Sequence, residues 1–142
     1  MSRKIFPAPE DAEAAFYDAF ERCNLTAMMA VWASEEHISC IHPQGPHLTG
    51  FESIRASWAE IFSANNGFKL QINAVRSHHD RTLAIRTVCE TLSVPGSTQT
   101  AAPILATNVF ILTPEGWRLV LHHASVIPPD AAELQNEARI LH

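Results

Sequence analysis

The sequence predicts one α+β domain spanning residues 1–142, and two changes of pattern along the chain lead to that prediction. Apolar residues first recur at three- and four-residue steps, which is typical of amphipathic helices. From Phe68 onward the period becomes two, and long segments rich in β-branched residues alternate with short turns. Helices followed by a run of strands favour a cone-shaped barrel, in which a strongly curved, mixed but mostly antiparallel sheet packs against three N-terminal helices.

Each predicted helix begins at a recognisable start signal. Pro9 and the acidic residues after it open the first helix, because proline fits the first turn and acids favour the positive helix end. Asn24 ends this helix and caps the second. Thr49 is expected to cap the third helix, and Gly67 to end it. The predicted helices are 9–24, 25–34 and 51–66, with a short strand at 37–41 before the third.

The second half of the chain predicts four long strands joined by turns. "FKLQINAV" alternates strictly between apolar and polar residues, and "HDR", "PGSTQ" and "PEG" supply the reversals that follow. Two consecutive prolines, Pro128 and Pro129, end the sheet, and the tail 128–142 has a weak helical pattern capped by Asp130. The predicted strands are 68–75, 82–94, 100–113 and 117–127.

Composition excludes several classes of function. A net charge of -5 without a basic block makes nucleic acid and anionic membranes poor partners. No apolar run approaches the ~20 residues of a membrane span, and no signal-peptide core is present, so a cytoplasmic protein is expected. Cys23, Cys40 and Cys89 lack metal or disulfide spacing and are predicted to be buried free thiols. No metal or cofactor motif is found, and none is expected to be needed.

His42 is the first candidate for chemistry. It ends a predicted strand in "CIHPQGPHLTG", and Pro43 after it favours an extended backbone and a loop. An imidazole with an ordinary pKa near ~6.5 can take or give a proton at neutral pH. The alternative is that His42 holds the loop through a carbonyl.

Strand alternation predicts which residues share a face. Asn108 lies in a long strand, where its amide needs partners in the protein or in a ligand, and both interpretations stay open. Arg86 and Glu90 share a face; a surface ladder is favoured, and a buried pair at the mouth of the cone is the alternative. In the last strand His122 lies on the face opposite to Trp117, Leu119, Leu121, His123 and Ser125.

The order "AFYDAFERCNLTAMMAVWASEEHISCIHPQGPHLTGFESIRASW", followed by long strands that end in "WRLVLHHAS", resembles the nuclear transport factor 2-like superfamily. Within it the chain looks most like the SnoaL-like and ketosteroid isomerase-like branch, over roughly residues 11–127. The resemblance implies a cone with an apolar pocket and a homodimer formed through sheet surfaces. It does not fix the reaction, because one fold supports many functions.

The resemblance also assigns residues. His42 stands where ketosteroid isomerase-like members have the catalytic carboxylate, Phe16 where they have an oxyanion-binding tyrosine, and Asn108 where they have a protonated acid. Phe16 donates no hydrogen bond, and Tyr17 lies about 100° further round the helix, so it is not expected to substitute. The resemblance further implies that the face of the last strand with His123 and Ser125 lines the cone, whereas His122 belongs to an interface or the surface. The expected substrate-binding residues are Phe16, Trp32, Trp58, Phe110, Leu121 and Ser125.

Two functions follow as expectations. In the first, the pocket binds a small apolar carbonyl compound, and His42 acts as acid or base while Asn108 and His123 polarise an oxygen. Such a protein would be a cofactor-independent isomerase, dehydratase or cyclase. In the second, the domain is a non-catalytic ligand-binding or oligomerisation module. Large side chains filling the cone would favour association, whereas catalysis requires His42 and a donor to converge on one point.

Overall fold

Three helices precede the long strands in the structure, a computed structural model that describes residues 4–34, 36–98 and 102–128. The predicted α+β order is confirmed, with one added two-residue strand before the third helix. The predicted tail helix lies outside the described residues. The elements are α1 Pro9–Glu21, α2 Leu25–Val31, β1 Ser39–Ile41, β2 Leu48–Thr49, α3 Phe51–Ser63, β3 Lys69–His79, β4 Leu83–Ser93, β5 Ile104–Thr113 and β6 Gly116–Val126.

The six strands form one mixed sheet in the order β2-β1-β6-β5-β4-β3. β1 runs parallel to β6, and every other neighbouring pair is antiparallel. The predicted closure into a barrel is wrong, because β2 and β3 remain as two separate edges. The curved sheet is instead covered on its inner face by α1, whose side chains reach β4, β5 and β6.

One helix cap follows the prediction and one does not. The Asn24 side chain accepts a hydrogen bond from the Ala27 backbone N–H at 3.0 Å, which caps α2 as predicted. Thr49 does not cap α3, because Thr49 belongs to β2 and pairs there with Ser39 of β1. Gly50 occupies the cap position with a φ of +86°, a left-handed value that glycine adopts without strain.

A β-bulge in β6 reverses the predicted inward and outward faces of that strand. Phe110 of β5 pairs with Leu119, whereas the preceding residue, Val109, pairs with Leu121, so Val120 is an extra residue in the ladder. Beyond this point the alternation is shifted by one. His122 therefore faces inward and is 1% exposed, in contrast to the surface or interface position predicted for it.

The opposite side of the sheet is much less covered. We call it the outer face, and its side chains on β4, β5 and β6 are half-buried or exposed, whereas their sequence neighbours point into the core. The outer face consists of Ile85, Thr87, Cys89, Leu105, Thr107, Val109, Ile111, Leu121, His123 and Ser125.

The inside of the cone is filled with large side chains. Trp32, Trp58, Phe16 and Phe110 are all fully buried, and they pack in the space that an open pocket would occupy. Cys40 is buried as predicted, while Cys23 and Cys89 are only half-buried, and all three are free thiols. Within the described ranges, the helices are too short or too polar to cross a membrane.

Candidate functional site

His42 lies at the end of β1, half-buried, with its ring edge-to-face against Trp58 at 4.8 Å between ring centroids. Its Nε2 is 3.1 Å from the Ser57 hydroxyl oxygen. Ser57 donates its only hydroxyl proton to the carbonyl oxygen of Ile54 at 2.7 Å. The Ser57 oxygen must therefore accept from His42 Nε2–H, which leaves Nδ1 as the unprotonated nitrogen of the neutral ring.

This tautomer gives His42 the character of a base. Burial lowers the pKa of His42 below its usual value, so the neutral imidazole is favoured at neutral pH. Among the described residues, none forms a hydrogen bond with Nδ1. The neighbouring Cys40 thiol, 3.7 Å from Nε2, is not a competing nucleophile, because burial raises its pKa to about 12.

Trp58 carries a polar atom without a partner at the centre of the cone. The side chain is fully buried, and its indole Nε1–H has no hydrogen-bond acceptor in the described part of the chain. A buried unpaired donor costs about 1–3 kcal/mol, so it indicates a place where an acceptor from a small molecule or water would be favourable. The rings packed around it are His42, Phe16, Phe20, Phe62 and His122.

A second buried group of polar side chains is organised by Asn108. Its amide nitrogen donates to the Tyr17 hydroxyl at 3.0 Å and to Glu13 at 3.4 Å. Its carbonyl oxygen is 2.6 Å from His122 Nδ1, which is therefore the donor. Because both amide hydrogens are used within the protein, the structure leaves Asn108 no free donor to polarise a substrate oxygen.

Tyr17 and Glu90 complete this group, and their pKa values are shifted together. The Tyr17 hydroxyl donates to a Glu90 carboxyl oxygen at 2.6 Å. Burial raises the pKa of Glu90 to about 7, a shift that Glu13 reinforces and the Tyr17 hydrogen bond opposes. Burial also raises the pKa of Tyr17 well above its usual range. At neutral pH the tyrosine therefore stays protonated, while Glu90 exchanges between its two protonation states.

The remaining members of the group are held neutral or paired. Burial, with the charges of His42 and His123 adding to it, lowers the pKa of His122 to about 3, so this imidazole is uncharged at neutral pH. Glu13 is paired with Arg86, whose Nε lies 2.8 Å from a carboxyl oxygen. Arg86 thus forms its ion pair with Glu13 on α1 and not with Glu90. The predicted surface ladder of Arg86 and Glu90 is therefore wrong.

The structure separates the residues that the sequence grouped in one site. His42, Phe16 and Trp58 do meet in the cone. Trp32 and Phe110 are fully buried core residues. His123, Leu121 and Ser125 lie on the outer face, so their predicted inward position is wrong, and the bulge at Val120 is the reason.

Sequence reasoning missed four members of the buried polar group: Tyr17, Glu13, Glu90 and His122. A signal for two of them was present, because residues four apart on a helix share a face and Glu13 and Tyr17 have that spacing. Tyr17 is 6% exposed and reaches the inner face alongside Phe16, although it was not expected to substitute for the tyrosine that Phe16 replaces.

Surface clefts and metal-binding groups lie apart from this arrangement. The described residues form clefts outside the cone, among them one between α2 and α3, one along the N-terminal segment and α1, and one beside the start of β3. The part of the chain that the structure describes contains no group of three or more histidine, cysteine or acidic side chains able to hold a metal ion.

Known proteins resemble this chain over most of its length. A family model described as a SnoaL-like domain matches residues 10–129. A solved structure from Thiobacillus denitrificans is 45% identical, with a TM-score of 0.83, and the match covers 87% of this chain and 98% of that one. That protein is described as a candidate calcium/calmodulin-dependent protein kinase type II association domain.

Two further relatives carry different descriptions. A candidate dehydratase of the NTF2-like family from Streptomyces avermitilis is 30% identical, with a TM-score of 0.74, over 82% of this chain and 91% of that one. The F-box protein SKIP8 of Arabidopsis thaliana is 33% identical over 103 residues. That match covers 72% of this chain but 42% of the F-box protein, so the chain spans less than half of that relative.

Proposed function

The chain belongs to the SnoaL-like domain family, and from this premise we propose that it is an association module in which two copies pack together through the outer face of the sheet. The observation that carries the proposal is the apolar, weakly covered centre of that face. Ile85, Val109 and Leu121 lie side by side across three strands there, and all three are half-buried or exposed.

The size of the outer face suits a stable dimer. Together with the edge strand β3, the strands of the outer face contain ten or eleven residues each. With a rise of about 3.3 Å per residue and about 4.8 Å between strands, they span roughly 35 by 19 Å. The resulting area of roughly 650 Å² approaches the ~800 Å² per partner of a standard interface.

The charges of the outer face and the similarity to a known structure favour a second copy of the chain as its binding partner. On β4, β5 and β6 the outer face carries no acidic side chain, and its basic side chains are His123 and the buried Arg118, which lies opposite Ile111. The edge strand β3 adds Arg76, opposite Thr87. Two copies can therefore meet over the centre of the face, at Ile85, Val109 and Leu121, without like-charge repulsion. A twofold arrangement uses the same patch on both partners. The 45% identical relative is described as a candidate association domain, and the filling of the cone by Trp58 and Phe16 points the same way.

Sedimentation or light scattering of Val109→Glu tests this proposal. A buried carboxylate at the centre of the interface should convert a wild-type dimer into a folded monomer, because each copy would desolvate a charge without a partner. Val94→Glu is the matched control, since Val94 is 47% exposed beyond the end of β4. A monomeric wild type, or a Val109→Glu variant that remains dimeric, would contradict the proposal.

A second candidate function is favoured by the pairing of His42 with Trp58. The unprotonated Nδ1 of His42 and the unpaired Nε1–H of Trp58 belong to two rings in edge-to-face contact, with 4.8 Å between their centroids, so a base and a donor lie on neighbouring side chains. This supports binding of a small, largely apolar carbonyl compound, with proton transfer at His42 as in a cofactor-independent isomerase, dehydratase or cyclase. Neither Asn108 nor His123 is part of this proposal, since one is fully engaged and the other faces outward.

A thermal-shift screen with small carbonyl compounds and aromatics distinguishes this second candidate. A ligand that binds the native state raises Tm by mass action. The shift should be lost in His42→Gln and retained in His47→Gln, a control in the same loop whose exposed imidazole bonds Ser39 at 2.9 Å. If no compound shifts the wild type, or if His42→Gln responds equally, the His42 site has no such role.

A further inference from the structure

A cleft of about 410 Å³ lies between α2 and α3, on the helical side of the molecule and outside the cone. Neither His42 nor Trp58 lines it. Its walls combine apolar side chains with two hydroxyls and one guanidinium. The lining residues are Leu25, Thr26, Met29, Ala30, Ser34, Phe51 and Arg55.

The guanidinium of Arg55 gives this apolar cleft a positive charge that could bind an anionic ligand. Arg55 is exposed, and the described part of the chain provides it with no ion-pair or hydrogen-bond partner. The ion pairs within the described residues use Arg22 and Arg86 instead. A free cation at the edge of an apolar cleft is complementary to an anionic head group carried on an apolar body.

We propose that this cleft binds a small apolar carboxylate, such as an acyl or aryl acid. The planar fork of Arg55 matches the two oxygens of one carboxylate, an arrangement that gives strong, charge-assisted hydrogen bonds. The Met29 and Phe51 side chains provide the apolar wall for the body of the ligand, and Thr26 and Ser34 offer hydroxyls at the same cleft. The volume lies within the ~300–1,000 Å³ of small-molecule sites.

Calorimetric titration of the full chain with octanoate tests the proposal. Wild type should bind octanoate saturably, and Arg55→Gln should weaken binding roughly tenfold or more, as expected for the loss of charge-assisted hydrogen bonds. Arg81→Gln, which removes an exposed arginine from the β3–β4 turn, should bind like wild type. Octan-1-ol, which keeps the chain but lacks the charge, should bind at least tenfold more weakly than octanoate.

Other outcomes would overturn the assignment. No saturable binding by wild type, equal binding by Arg55→Gln, or tighter binding of octyl phosphate than of octanoate would each contradict a carboxylate site at Arg55. The site is independent of the proposed association and of the His42 site. Octanoate binding should therefore be unchanged in Val109→Glu and in His42→Gln, and its loss in either variant would place the ligand elsewhere.

Discussion

At the scale of single residues, the buried polar group joins elements that are far apart in the sequence. Tyr17 on α1 donates to Glu90 on β4 and accepts from Asn108 on β5, while Asn108 also accepts from His122 on β6. Each of these groups is 6% exposed or less, so water cannot replace a lost partner. The group therefore fixes how α1 sits on the sheet.

Removing the Tyr17 hydroxyl should destabilise the protein without creating a large cavity in the core. Tyr17→Phe keeps the ring but leaves Glu90 and Asn108 each short of one hydrogen bond, at an expected cost of about 1–3 kcal/mol in the free energy of unfolding. Urea denaturation measures this cost. In the double variant with Glu90→Leu, which cannot accept this hydrogen bond, the two effects should not add, because the two residues share one bond. Simple additivity would show that the bond contributes nothing.

Glu90 should make stability depend on pH in a definite direction. Its pKa is raised from 4.5 to about 7 in the folded protein. Between these values the unfolded chain loses the proton and the folded chain keeps it, so the free energy of unfolding falls as pH rises. The full contribution, present below pH 4.5, is on the order of 3 kcal/mol and is lost through pH 7.

The difference between wild type and Glu90→Gln isolates this effect. His42 and His122 have lowered pKa values and give the opposite slope, but they do so equally in both proteins. Denaturation between pH 4.5 and 8 should show the wild type losing stability relative to Glu90→Gln. Glu60→Gln, at an exposed position of α3, should run parallel to wild type. A constant difference across this range for Glu90→Gln would mean that Glu90 titrates normally.

The position of a residue could be predicted from the sequence where a single neighbouring residue determines it. Proline after His42 ends the strand, and the histidine does lie at the end of β1. Tyr17 was missed because only the position of Phe16 on α1 was expected to face the site. The apolar stripe of a globular helix is about 100° wide or more, so neighbouring positions such as Phe16 and Tyr17 can both be buried.

At the scale of elements, the order of helices and strands follows from the periodicity of the sequence. Which side chains of a strand point inward does not, because a β-bulge reverses the alternation beyond it. The strand β6 was predicted in place, and up to Leu119 its register with β5 is regular, although Trp117, Arg118 and Leu119 are all buried. One inserted residue, Val120, then moves His122 inward and His123 outward. Nothing in a single sequence marks a bulge made by a valine, since the ladder partner on β5 determines it.

Gly116 should be the least replaceable glycine of the sheet. Its φ is +97°, and an added Cβ would lie 2.8 Å from the Phe6 carbonyl oxygen, because the N-terminal segment pairs with β6 at this point. Gly116→Ala should therefore cost at least about 1 kcal/mol more than Gly96→Ala. Gly96 is the matched control, since its φ is +86° and a Cβ there would meet no atom within 4 Å. Equal costs in thermal denaturation would mean that the Phe6 contact is not restrictive.

At the scale of the whole molecule, the curved sheet has two faces with different chemistry. The inner face meets α1 through a buried polar group and encloses Trp58 among aromatic rings. The outer face is apolar at its centre and weakly covered. Because large buried side chains fill the cone, whereas the outer face is apolar and weakly covered, association through the outer face is favoured over catalysis inside the cone.

Association through the outer face should make thermal stability depend on protein concentration. If the native state is a dimer and the unfolded state is monomeric, a tenfold rise in concentration adds about 1.4 kcal/mol per dimer and raises Tm by a few degrees. Val109→Glu, as a folded monomer, should unfold at a lower Tm that does not change with concentration, whereas Val94→Glu should follow wild type. Equal concentration dependence in wild type and Val109→Glu would place the contact on another surface. If the Tm of the wild type is independent of concentration and its mass is that of a monomer, association is excluded and small-molecule binding at His42 is the remaining proposed function.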